Sequence, residues 1–178
     1  PKFAGASMSL IYENDHLVRG ATRGDGVKGD DITVNIKQIR SIPLSAKFSD
    51  YGLQSVEIRG EILINKNNFK KFNEGLTEQG LAPLANPRNA AAGTLRIKDP
   101  VEVGRRKLEA FVYHISYYTL KHGAKDLSYH SQTLEMLWEL GFRSPQKEKK
   151  VLRGIDAVVE YCKDCESKRD DLPYEIDG

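Results

Sequence analysis

Val56-Glu57-Ile58-Arg59-Gly60-Glu61-Ile62-Leu63-Ile64 is the stretch on which the fold class turns. Successive side chains of an extended chain point to opposite sides, so Val56, Ile58, Ile62 and Ile64 share one face and Glu57, Arg59 and Glu61 the other. The pattern predicts a half-buried strand whose polar face meets solvent or lines a cleft. Working outward, residues 6–12 and 17–23 read as two strands joined by a turn at Glu13-Asn14-Asp15-His16, where Asn and Asp supply the turn chemistry. Residues 31–39 carry Ile32, Ile36 and Ile39 at helical spacing, and residues 67–79 carry Phe69, Phe72 and Leu76 before a stop at Gly80. Asn86-Pro87 reads as a helix cap followed by a first-turn proline, opening a short alanine-rich helix that runs to Leu95. A long strand is expected over 108–120, helices over 132–140 and 155–168, and a return to strand from Leu172.

Short strands and helices alternate without repeats or low-complexity tracts, so the chain reads as α+β, with antiparallel sheets flanked by helices. Its 178 residues, 39% hydrophobic and 29% charged, suit one soluble globular domain. A formal net charge of +2 permits a nucleic-acid partner without demanding one. Two cysteines, no apolar run of membrane-spanning length and no signal-peptide pattern point to a reduced, cytoplasmic setting. Because the chain opens on Pro1 and closes on Asp177-Gly178, residues 1–178 read as a single partial domain cut at both ends.

Several segments are candidates for chemistry. In Lys2-Phe3-Ala4-Gly5, extended backbone places Lys2 and Ala4 on one side and Phe3 on the other. A desolvated lysine can act as a nucleophile, although a lysine at a chain end is more commonly a solvated charge. Residues 19–26, Arg-Gly-Ala-Thr-Arg-Gly-Asp-Gly, form a glycine-rich turn after the second strand. Arg88 and Arg96 lie eight positions apart, about two helical turns, with small residues between them; one anionic surface could meet both, or both could be solvated. Tyr113 falls between Phe111 and Ile115 on one expected strand face, as a stacking platform or as core. Cys162 and Cys165 have the spacing of half a zinc site, but no second pair exists and no histidine is spaced to complete it. With Ile155, Val158 and Val159 on the same helical stripe, Cys162 is expected in the core and no metal is assigned.

Taken in order, these segments resemble the bacterial NAD-dependent DNA ligases along almost the whole chain. That family carries Lys-x-Asp-Gly, Ala-Thr-Arg-Gly-Asp-Gly, Arg-Gly-Glu, Asn-Pro-Arg-Asn-Ala-Ala-Ala-Gly and a late Asp-Gly. Here they stand at residues 2–5, 21–26, 59–61, 86–93 and 177–178. The resemblance implies the adenylation domain, a nucleotidyltransferase fold of the ATP-grasp-like DNA ligase kind. It also implies a lysine-AMP intermediate formed from NAD with Mg²⁺, and nicked double-stranded DNA as partner of a monomeric, nucleoid-associated protein. Carried over position by position, it makes Lys2 the nucleophile, Glu61 a ribose contact and Tyr113 the adenine platform. Arg88 and Arg96 would meet phosphates, while Arg23 and Asp177 would support the same cleft.

One motif departs from the family: Ala4 stands where the motif has aspartate, and a methyl group cannot orient a lysine or a metal. With that change and without flanking modules, the fragment is expected to be inactive alone. Two other readings stay open here. One is an ATP- or GTP-using relative such as an RNA ligase or capping enzyme; the other is a non-catalytic nucleotide- or DNA-binding module.

Overall fold

A computed structural model describes every residue except Asp25, Gly26, Pro145 and Lys147. The end of the glycine-rich motif at 21–26 therefore lies outside the described residues. Four strands form one antiparallel sheet, in the order β2-β1-β3-β4: β1 Ala6–Glu13, β2 His16–Thr22, β3 Leu53–Leu63 and β4 Glu109–Leu120. Sequence-adjacent β1 and β2 form the expected hairpin. Its two turn residues, Asn14 and Asp15, take φ of 47° and 70°, the left-handed geometry that two-residue hairpins need.

The sheet has one apolar face and one polar face, and the alternation of β3 sets both. Val56, Ile58 and Ile62 are wholly buried beside Met8, Leu10 and Tyr12 of β1, while Glu57, Arg59 and Glu61 point the other way. Gly60 belongs to the apolar face, where an added Cβ would lie 2.4 Å from the Phe111 carbonyl oxygen; only glycine lets β3 and β4 pair so closely there. Helices cover the apolar face. They are α1 Thr33–Ile36, α3 Pro87–Leu95 and α5 His130–Glu139, contributing Ile36, Ala90, Ala91, Leu95, Met136 and Leu137 to one core. Within that core Asn35 donates from Nδ2 to the Leu95 and Ile97 carbonyls at 2.8 and 2.9 Å, tying α1 to the end of α3.

α3 matches its expected bounds: the Asn86 side chain caps Asn89 N–H at 2.8 Å and Pro87 occupies the first turn. α2 Lys66–Glu78 is likewise capped by Asn65 and ends before Gly80, whose φ is 72°. Five expectations need correction. The helix over 31–39 shrinks to one turn, because burial of Ile36, Ile39 and Ile42 is met by tight turns rather than regular helix. α4 Pro100–Arg105 was not anticipated; six residues are too few for a periodic signal, although Asp99 caps Val101 N–H ahead of it. Only one extended sheet is present among the described residues. Instead of a strand from Leu172 there is a 3₁₀ turn, Arg169–Asp171, and then an isolated bridge between Phe3 and Ile176.

The fifth correction concerns α6 Ile155–Ser167. Its aliphatic stripe faces outward: Ile155, Val158 and Val159 are 72%, 39% and 46% exposed, and Cys162 is exposed rather than in the core. The helical period is right, but the stripe is left largely open to solvent. Among the described residues, no helix is long and apolar enough to cross a membrane.

Candidate functional site

The start of β1, the end of β3 and the start of β4 meet at one edge of the polar sheet face. Against them the chain's two ends pair: Ala4 N–H donates to Glu175 O at 2.9 Å and Asp177 N–H to Lys2 O at 2.9 Å. This long-range pairing brings together residues 175 positions apart, and Lys2 Nζ lies 2.7 Å from Asp177 Oδ1. A cleft of about 490 Å³ opens there. Lys2, Arg23, Glu61, Arg88, Tyr113 and Asp177 all line it. Of the seven residues singled out from sequence, only Arg96 lies outside. It sits at the other end of α3, beside Asp30 at 3.5 Å, in an adjoining hollow that shares Ser7, Arg23 and Arg88 with the cleft.

Each wall has a local cause. Glu61 reaches the cleft by strand parity, and opposite it in the β1–β3 register stands Ser7, whose Oγ donates to Glu61 Oε1 at 2.7 Å. Burial raises the Glu61 carboxyl above its ordinary value, while the Ser7 hydrogen bond and the Arg88 and Lys2 charges pull it back down. Burial likewise raises the Tyr113 phenol, with the Glu61 charge adding to the effect. Asp177 moves down, chiefly because Lys2 donates a hydrogen bond to it. The cleft thus holds a half-buried carboxylate, a second carboxylate locked to an ammonium, and Arg88 in the first turn of α3. A phosphate entering beside Arg88 and Lys2 would find donors and positive charge, and a planar base could lie on the Tyr113 ring.

Two expectations of side-chain direction are corrected. Phe111, Tyr113 and Ile115 do not share a face: the β3–β4 register slips between Arg59 and Gly60, and this bulge sends Ile115 to the core while Tyr113 stays over the cleft. Lys2 and Ala4 do not line the cleft together. Ala4 does not line it, whereas Phe3 does, its ring held edge-on against Phe111 at 4.9 Å. Ser7, Phe3 and Phe111 were missed from sequence; for Ser7 the signal was its place on the polar face of β1. The two cysteines are free, and among the described residues no group of three or more His, Cys, Asp or Glu is placed to hold a metal.

The profile of the NAD-dependent DNA ligase adenylation domain matches residues 1–178. The chain belongs to that family. Proteins named DNA ligase from Persephonella marina and Aquifex aeolicus are 60% and 55% identical to it over its whole length. One from Bacillus velezensis is 46% identical over 99% of it. The chain covers 26%, 24% and 25% of those three relatives, so this adenylation domain spans about a quarter of each. Family membership and the geometry meet at the same residues, because the motifs at 2–5, 59–61, 86–93 and 177–178 all contribute to the walls of one cleft.

Proposed function

We propose that this domain transfers AMP from NAD onto Lys2, within a ligase that passes the AMP to the 5′-phosphate of nicked duplex DNA and seals the nick. The observation that carries the reading is the convergence of Lys2, Glu61, Arg88, Tyr113 and Asp177 on one cleft. In this scheme Tyr113 stacks on the adenine, Glu61 accepts from a ribose hydroxyl, and Arg88 with Arg23 holds the phosphates. The Lys2 amine attacks the adenylyl phosphorus; a P–N bond forms as the bond to nicotinamide mononucleotide breaks. Before that, the ion pair with Asp177 must open, because a lone pair aimed at phosphorus cannot also serve an ammonium held at 2.7 Å.

Glu61 and Asp177 are the two carboxylates of the cleft, and Mg²⁺ commonly binds one or two carboxylates together with substrate phosphates, so the donor set suits it in that form. Bound there, it would neutralise charge on the transferring group. Ala4 removes a carboxylate next to the nucleophile, and such positioned groups contribute on the order of 10²–10⁴ in rate. We therefore expect the chain alone, given NAD and Mg²⁺, to show no lysine-AMP adduct by intact mass; since it spans only about a quarter of the ligases it matches, Ala4→Asp alone should not restore one. AMP itself should bind. Base stacking supports roughly 1–3 kcal/mol, so Tyr113→Ala should weaken AMP by about tenfold in a calorimetric titration. Equal affinity in the wild type and in a Tyr113→Ala/Glu61→Ala chain would overturn the reading.

A further inference from the structure

Two serines on the polar face of β1 each donate a hydrogen bond to a glutamate of β3, and only one of these pairs lies in the cleft. Ser9 stands opposite Arg59 and reaches diagonally to Glu57, with 3.2 Å between Oγ and Oε1, and Glu57 has Arg59 at 4.0 Å as a second partner. Neither Ser9 nor Glu57 lines the cleft. Ser7 stands directly opposite Glu61, where cross-strand side chains come closest, and donates to it at 2.7 Å. Ser7 borders both the cleft and the hollow beside it. Its backbone is held from both sides, by pairing with β3 and by the Arg23 N–H, which donates to the Ser7 carbonyl at 3.3 Å.

Glu61 depends on that one hydroxyl. Among the described residues, no other group donates a hydrogen bond to its carboxylate and no cation stands within 4.0 Å of it, although Lys2 and Arg88 line the same cleft. A long side chain that is half-buried and has no donor of its own would be drawn toward those cations, which are the groups a phosphate needs. We propose that Ser7 is a positioning residue: its hydroxyl holds Oε1 of Glu61, keeps the carboxylate off Arg88 and Lys2, and leaves Oε2 to accept from a ribose hydroxyl of the adenylate. The inference rests on the adenylate reading above and adds to it a residue that strand parity alone did not single out.

The effect is one of preorganisation, since a ligand that meets a carboxylate already fixed does not have to order it on binding. It belongs to the ribose hydroxyl and to nothing else on the nucleotide. A serine that merely supported the strand would serve AMP and its deoxy forms alike, so the two roles separate by ligand. Ser9 supplies the control: the same residue, strand and face, with a glutamate partner outside the cleft.

The test is calorimetric titration of AMP, 2′-deoxy-AMP and 3′-deoxy-AMP into the full 178-residue chain, with a chelator and no added metal. Wild type should bind AMP more tightly than the deoxynucleotide that lacks the accepted hydroxyl, and Glu61→Ala should erase that preference. Ser7→Ala should weaken AMP by about threefold to tenfold, the range for ordering one long side chain, and leave that deoxynucleotide at its wild-type affinity. Ser9→Ala should change neither. Equal weakening of AMP and the deoxynucleotide by Ser7→Ala would give Ser7 a structural role only and overturn the proposal. So would a ribose preference that survives Ser7→Ala but not Glu61→Ala, or one lost equally in Ser9→Ala; in each of these cases the adenylate reading stands. A wild-type chain that binds no AMP would overturn both, and one that binds AMP and both deoxynucleotides equally would overturn the Glu61 contact and the proposal with it.

Discussion

β3 and α6 carry the same kind of signal, a regular stripe of Val and Ile, and meet opposite fates. The β3 stripe is sealed: Val56, Ile58 and Ile62 have no exposed surface, and helices from three parts of the chain pack on it. The α6 stripe is open, with Ile155 72% exposed. Periodicity states which side chains share a face. Whether that face is covered depends on elements distant in sequence, which a local pattern does not encode.

The contrast can be broken by measurement. Ile58→Ala removes atoms from a filled core and should cost about 2–5 kcal/mol in denaturant unfolding; a loss below 1 kcal/mol would mean that the β3 face is less tightly sealed than described. Asn35→Ala should cost about 1–3 kcal/mol, because it strands two carbonyls, those of Leu95 and Ile97, inside the protein. Val159→Ala on α6 should change stability by no more than about 0.5 kcal/mol. A cost comparable with that of Ile58→Ala would show the α6 stripe to be buried in solution.

Glu61 sharpens the comparison on the polar side of the same sheet. Its carboxyl is raised by burial, so the folded state holds the proton more tightly than the unfolded chain does. The associated stability is fully present below the ordinary glutamate value of 4.5 and is lost as pH rises through the higher folded value. Glu61→Gln keeps an acceptor for Ser7 and removes the charge. It should melt higher than the wild type at neutral pH, with the gap closing in acid; a gap independent of pH would contradict the stated cause.

Much of this was legible in the sequence because the signals were local. The strict alternation of β3 placed that strand to within three residues, and the Asn14-Asp15 turn and the Asn86-Pro87 cap placed theirs to within one. The cleft was less so. Strand parity put Glu61 on the polar face, but the Lys2–Asp177 pair spans almost the whole chain, and no local rule announces it. The bulge that separates Tyr113 from Ile115 is an irregularity of pairing, invisible to any fixed period. Resemblance to a family supplied those residues where spacing could not.

The central claim is that one cleft gathers the adenylate-binding residues. Amide and side-chain chemical shifts of isotope-labelled chain, followed while AMP is added to millimolar levels, test it directly. The account predicts saturable shifts centred on Lys2, Ser7, Glu61, Arg88, Tyr113 and Asp177, with α6 silent. Shifts centred elsewhere, or none at saturating AMP in a folded chain, would contradict it.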